Sequence, residues 1–334
     1  MESNNNIYQL TNSPSIKNMF EQSAIFGDFP IREIYLGALV QRLCEIPQLL
    51  PINSFENTRN RYQHVKNMVN ILDVLSKSEY NKKIYDEYFW KDVAMGIIMH
   101  DIGHSPYGHA GERAIEKYLI NERKFSNSIQ SERLLFHKYA SVGQITNKGN
   151  IFDTLPIKPF IRFKDFRLDC NVSVLVDFID DLENVIGDLQ DLWIAFGDDR
   201  AQKLFNYHFH FSHIADDITK TGIEYLIYKC VKLNVNNLCD DILLDSNKIH
   251  SELKYLKTQI RLFSEKYECI AHYDTVGEDI VSKILTYTEN TLKSEYVFND
   301  ENIKDVTSDI VASMSLLNIK NHLKLSFESH LSMI

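Results

Sequence analysis

His100 and Asp101 stand side by side at the end of an apolar run, which puts an imidazole and a carboxylate at one rim where both can reach a divalent ion. His104 and His109 follow within HDIGHSPYGHAGE. Imidazoles crowded this closely are costly to bury unless a metal or an anion organises them. Taken alone, the block also reads as a solvated His-rich loop. His64 lies near the start of another apolar-periodic segment, with Arg61 three residues earlier on the same face. By itself it reads as a structural histidine. Asp177, Asp180, Asp181, Asn184, Asp188 and Asp191 recur every three or four residues along one stripe. Without His64 and His100–Asp101, that stripe is simply the wet face of an amphipathic helix.

The elements that must carry these residues are helical. Apolar residues at helical spacing run through IREIYLGALVQRLCEI and stop at Pro47. The segment from Pro51 to Asn60 is loop-like, and from Arg61 the positions Val65, Met68, Val69, Leu72 and Leu75 predict a second helix. Tyr88 to Met99 predicts a mostly apolar helix that breaks at HDIGHSPYGHAGE, with helical pattern resuming at Glu112. SERLLFHKYA, VSVLVDFIDDLENVIGDLQDLW, IADDITKTGIEYLIYKCVKL, SELKYLKTQIRLFSEKY and GEDIVSKILTYTENTL predict further helices. No repeat period or low-complexity linker divides the chain.

Composition sets the class. Only 12 Gly and 7 Pro in 334 residues are too few for the tight turns of a β-sandwich, so the expected fold is all-α. Hydrophobic residues at 44% supply a large core. The expected organisation is a polar segment over residues 1–20 and one helical domain over 21–334, with the metal core at about 55–192 and C-terminal helices over 210–334. Cys44, Cys170, Cys230, Cys239 and Cys269 are odd in number and form no C-x-x-C pair, which points to a reducing cytoplasm rather than a disulfide framework. The first residues lack a basic, then apolar, leader, and no apolar stretch reaches about 18 residues, so neither secretion nor a membrane span is expected. A formal charge of −10 argues against a protein that coats nucleic acid, leaving room for a local phosphate site.

RYQH at 61–64, HDIGHSPYGHAGE at 100–112 and IDDLENVIGDLQD at 179–191 resemble, in order, the signatures of the HD superfamily. More narrowly they resemble the deoxynucleoside triphosphate triphosphohydrolases, the dGTPase-like dNTPases, whose block reads H-D-I/L-G-H-x-P-F/Y-x-H-A-G-E. QRLCEIPQLL is similar to that family's R-R-L-x-x-I-x-Q-L, and FSNSIQSERLL to its F-x-x-N-x-Q-S-x-R-I/L-L. The likeness runs from about residue 25 to 290 and is strongest before 192. It implies an HD-domain helical core with peripheral helices.

The resemblance also implies roles. His64, His100, Asp101 and Asp180 match the metal set, and two imidazoles with two carboxylates suit Mn²⁺, Mg²⁺ or Fe²⁺. Such an ion screens a triphosphate's charge and lowers the pKa of a bound water. His109 matches the acid/base that protonates the leaving 5′-oxygen, with Glu112 as its orienting partner and His104 touching a phosphate. Arg61 matches a phosphate clamp, Gln48 a contact to the sugar and its 3′-hydroxyl, and Asp188 an acid near the triphosphate and sugar. The implied reaction is hydrolysis of a dNTP to deoxynucleoside and inorganic triphosphate by a homo-oligomer, a tetramer or hexamer. The alternatives are another HD phosphohydrolase, such as a 5′-nucleotidase or phosphodiesterase, and a nucleotide-sensing regulatory HD protein. The chain departs from the family at Asn184, where a Tyr often stands against the sugar and helps exclude a 2′-hydroxyl. The Arg and Tyr that later family helices bring to the substrate have no visible counterpart. His208, His210 and His213 stand in that region instead, and read as structural or surface residues rather than a second metal site.

Overall fold

The computed structural model describes residues 38–51, 59–77, 85–120, 122–136, 171–209, 246–295, 300–321 and 323. The described residues form an all-α fold, as expected, and their one pairing of extended backbone is an isolated bridge between Pro47 and Asn60. A short helix α1 (Ala38–Gln41) tightens into a 3₁₀ turn at Arg42–Glu45 and ends at Ile46, whose extended backbone leads to Pro47. Then come α2 (Arg61–Lys77), α3 (Glu87–Met99), α4 (His109–Tyr118) and α5 (Asn127–Phe136). They are followed by α6 (Asn171–Phe196), α7 (Asp199–Phe209), α8 (Ser246–Ser264), α9 (Glu268–Glu295) and α10 (Asp300–Ala312). The polar N-terminal segment, residues 31–37 of the helix expected over 31–46 and the helix expected at IADDITKTGIEYLIYKCVKL lie outside the described residues, as do His210 and His213.

α6 is the axis of the larger core, packed against α2, α3, α7 and α8. It buries Val176, Ile179, Val185, Ile186, Leu189 and Leu192 on several sides at once. Its polar stripe is therefore partly interior: Asp180, Glu183 and Asp191 are buried, while Asp177, Asp181, Asn184 and Asp188 are half-buried. Helix α3 is apolar on nearly every side from Trp90 to Met99, and its start is fixed by Asp86, whose carboxylate accepts from the Phe89 amide at 2.9 Å. A second core joins α4, α9 and α10 through Ile115, Leu119, Val281, Leu285, Val311 and Ile319. The segment 100–108 passes from one core to the other: Ile102 is buried in the first, and Tyr107 packs against the second.

Several boundaries differ from the periodicity reading: α9 starts at Glu268, nine residues before the expected Gly277, and α8 at Ser246, five before the expected Ser251. Helix α4 begins at His109, three residues before the expected Glu112, because Gly108 adopts φ +60° and turns the chain sharply into the helix. The Ser105 hydroxyl donates to the Gly108 carbonyl at 3.0 Å, closing that turn. A first turn of His, Ala and Gly carries no apolar period, so hydrophobic spacing starts late there. Helix α5 starts at Asn127 rather than Ser131, four residues earlier, and residues 137–140 of that expected helix lie outside the described residues.

Candidate metal centre and catalytic pair

Helix α2 presents Arg61 and His64, the end of α3 presents His100 and Asp101, and the middle of α6 presents Asp180, all toward one buried point. Donor atoms of His64, His100 and Asp180 all lie within 4.8 Å of one another. The His64 Nε2 is 3.1 Å from the Asp180 Oδ1, and the His100 Nε2 is 3.4 Å from the same oxygen. Asp101 closes the group, with Oδ1 at 3.3 Å from the His100 Nε2 and Oδ2 at 3.9 Å from the His64 Nε2.

Both imidazoles are turned the same way. The His100 Nδ1 donates to the Ile97 carbonyl at 2.6 Å, and the His64 Nδ1 is hydrogen-bonded to the Glu183 Oε2. Each ring thereby turns its Nδ1 outward and its Nε2 toward the carboxylates, where that atom carries either a proton or a metal ion. The His100 Nε2 is buried without a hydrogen bond. Two inward Nε2 atoms and two carboxylates make a donor set that fits a divalent cation. Burial works against charging His64, but Glu183, Asp180 and Asp101 outweigh it and push its pKa up to about 10. Burial also opposes ionising Asp180 and Asp101, yet the neighbouring imidazoles hold both carboxyls well below the usual range, with Arg61 adding to the effect at Asp101. So concentrated a negative field calls for a positive charge, which a proton or a metal ion can supply.

The other expected residues surround this point. Arg61 donates through a terminal nitrogen to the Asp101 Oδ2 at 3.1 Å, while its Nε is buried without a hydrogen-bond partner. The His104 Nδ1 is 2.9 Å from the Asp101 Oδ1, and burial followed by the nearby Arg61 charge pulls its pKa down to about 4, so the ring is neutral. Its ring centroid lies 6.1 Å from that of His109. The His109 Nδ1 sits 2.8 Å from the Glu112 Oε2, and that carboxylate is fixed in turn by Asn127, whose backbone amide and side-chain amide donate at 2.9 and 3.0 Å. Burial would raise the Glu112 pKa, but the His109 and Asn127 hydrogen bonds lower it. Asn184 donates to the Asp180 Oδ1 at 2.8 Å and accepts from the Gln48 Nε2, and the Gln48 Oε1 is buried without a partner. Asp188 accepts from Arg59 at 2.7 Å.

Reading the sequence passed over Glu183, Arg59 and Asn127. Glu183 stands three residues after Asp180, on the same helical face, and that spacing is the signal that could have found it. Arg59 and Asn127 act through residues distant in the chain, which no local spacing reveals.

No family model matches the chain. It is similar to curated proteins named deoxyguanosinetriphosphate triphosphohydrolase-like protein. The one from Pelagibacter ubique is 27% identical over 171 residues, covering 44% of this chain and 41% of that protein. The Rickettsia typhi protein is 28% identical over 208 residues, covering 52% and 53% respectively. The Rickettsia rickettsii protein is 23% identical over 234 residues, covering 66% of this chain and 52% of its own length. The chain thus spans about half the length of the curated relatives it matches. Among the described residues no helix is long and apolar enough to cross a membrane. What the comparisons establish is a likeness to dGTPase-like proteins over about half of the chain.

Proposed function

We propose that this chain is an HD-type, metal-dependent phosphohydrolase that converts a dNTP to the deoxynucleoside and inorganic triphosphate. The observation that carries the reading is the convergence of the His64 and His100 Nε2 atoms with Asp180 and Asp101, beside a His109–Glu112 pair. A bound Mn²⁺, Mg²⁺ or Fe²⁺ would be held by those four side chains and would supply charge screening and an acidified water. Arg61, anchored by Asp101 and with an unsatisfied Nε, has donors to offer phosphate oxygens. His104, neutral and buried beside it, offers a further contact to phosphate. Water attacks the α-phosphorus and gives up a proton to solvent, the bond from phosphorus to the 5′-oxygen breaks, and His109 delivers the proton that this oxygen needs as it leaves. Glu112 holds the Nδ1 proton of His109, leaving Nε2 as the atom that exchanges the proton. Gln48 and Asn184 face the sugar and Asp188 lies nearby, in an assembly of several copies of the chain.

Product identification on the metal-loaded protein tests the reading. Incubation with dGTP is expected to release deoxyguanosine and inorganic triphosphate in equal amounts. Release of dGMP with pyrophosphate, or of dGDP with phosphate, would place the chain with other HD phosphohydrolases. Absence of turnover with bound nucleotide would make it a sensor.

Sugar selection provides a second measurement. Asn184 is an amide with donor and acceptor groups, tied between Asp180 and Gln48, where an aromatic ring would exclude a 2′-hydroxyl by shape. Asn184→Tyr is therefore expected to raise the dGTP/GTP ratio of kcat/KM by roughly ten- to a hundred-fold, the scale of shape-based rejection of an added hydroxyl. An unchanged ratio would show that this position does not meet the sugar.

A further inference from the structure

Helix α6 carries a glycine in its middle, Gly187, where glycine is less favourable than alanine. The reason is Arg59. A Cβ on Gly187 would lie 1.7 Å from an Arg59 terminal nitrogen and 2.0 Å from its central carbon, so the guanidinium occupies that space. From there it binds three carboxylates of α6: Glu183 at 2.7 Å, Asp188 at 2.7 Å and Asp191 at 2.9 Å.

Asp188 and Asp191 meet Arg59 as well, and burial raises both of their carboxyls, that of Asp191 to about 7. Glu183 differs from them in having a second face. Its Oε1 accepts from Arg59 and from Asn67 at 2.8 Å, while Oε2 is hydrogen-bonded to the His64 Nδ1. Glu183, Arg59 and His64 are 3%, 7% and 0% exposed, so this relay runs through the interior where charges interact strongly.

We propose that Glu183, held by Arg59 in the notch left by Gly187, is a positioning residue that sets how tightly His64 takes a metal ion. The inference rests on the reading of His64 as a ligand. A carboxylate behind an imidazole fixes the Nδ1–H tautomer, aims the Nε2 lone pair and raises its donor strength. Loss of such a partner weakens metal binding by about 10- to 100-fold. Asn67 and Arg59 prevent Glu183 from rotating away, and Gly187 admits Arg59 to the helix face.

The test is Mn²⁺ titration of the full chain at fixed pH, with free Mn²⁺ followed by electron paramagnetic resonance. Glu183→Gln retains an acceptor for the Nδ1 proton but removes the charge. Asp191→Asn removes a partner of Arg59 whose hydrogen bond is to Arg59 and not to the imidazole. The expected result is a Kd for Mn²⁺ about 10- to 100-fold higher in Glu183→Gln, with Asp191→Asn within about twofold of wild type. An unchanged Kd in Glu183→Gln overturns the proposal and leaves the metal reading intact. Equal weakening in both variants also overturns it, because disturbance of the Arg59 cluster would then suffice. Failure of the wild type to bind Mn²⁺ removes the underlying reading instead, and the proposal with it. Should Glu183→Gln fail to fold, nitrogen chemical shifts of His64 in the wild type with Zn²⁺ as a diamagnetic probe decide the matter. Metal on Nε2 with a proton on Nδ1 supports the relay, and the opposite tautomer overturns it.

Discussion

Alanine at Asp101 or at His64 is expected to give a protein that retains no metal ion and no hydrolytic activity, while the wild type carries one ion per chain. His64 supplies one of two inward Nε2 atoms, and Asp101 one of two carboxylates, at a point where the donor atoms are 3.1 to 3.9 Å apart. Removing one of four ligands from such a set is rarely tolerated, because the remaining three must hold the ion against its hydration. The two variants differ in what they leave behind. Asp101→Ala strands the buried guanidinium of Arg61 and the ring of His104, both of which face that carboxylate. His64→Ala strands Glu183 opposite Arg59 and opens a void at a fully buried position. Both are therefore expected to lower Tm as well, and metal content by elemental analysis must be read on material whose helicity is intact. Stoichiometric metal in both folded variants would take these residues out of the ligand set.

His109→Ala is expected to behave in the opposite manner, retaining metal and fold while losing about 10²- to 10⁴-fold in kcat, the scale of a positioned proton donor. The His109 side chain is 67% exposed, so its removal leaves no core cavity. Its interaction is with Glu112, and Glu112 remains anchored by Asn127 after the change. Single-turnover measurement with dGTP, with metal content measured in parallel, separates a lost proton transfer from a lost ion. A kcat equal to wild type would exclude His109 from the chemistry.

The sequence made the loop from His100 to Glu112 readable because its residues are neighbours in the chain, and a helix that ends on His–Asp advertises itself. The polar stripe of α6 was ambiguous. Spacing says that Asp180, Asn184, Asp188 and Asp191 share a face, but whether water or protein meets that face depends on α2, α3, α7 and α8 packing around it. Enclosure is a tertiary property with no local trace. The same holds for Glu183 and His64, whose partnership spans 119 positions, and for Arg59, whose three carboxylates lie 124 to 132 positions away. Helices α7 and α10 had no place in the periodicity reading. Helix α7 is announced by a cap rather than by an apolar period, since the Asp198 carboxylate accepts from the Arg200 and Ala201 amides at 3.0 and 3.2 Å.

Arg42 ties the ends of this architecture together. One terminal nitrogen donates to the Ile102 and His104 carbonyls at 2.6 and 2.7 Å, and the other to the Met314 carbonyl at 3.5 Å, across 272 positions. Glu45, three residues on, accepts from the Leu317 amide at 3.0 Å. During synthesis at about 5–20 residues per second, the His100–His104 turn therefore leaves the ribosome at least ten seconds before the segment that completes its backing. Until Met314 arrives, Arg42 has only the turn itself to hold. Closure of so long a loop is slow, and the histidine–aspartate turn is synthesised long before the segment that backs it.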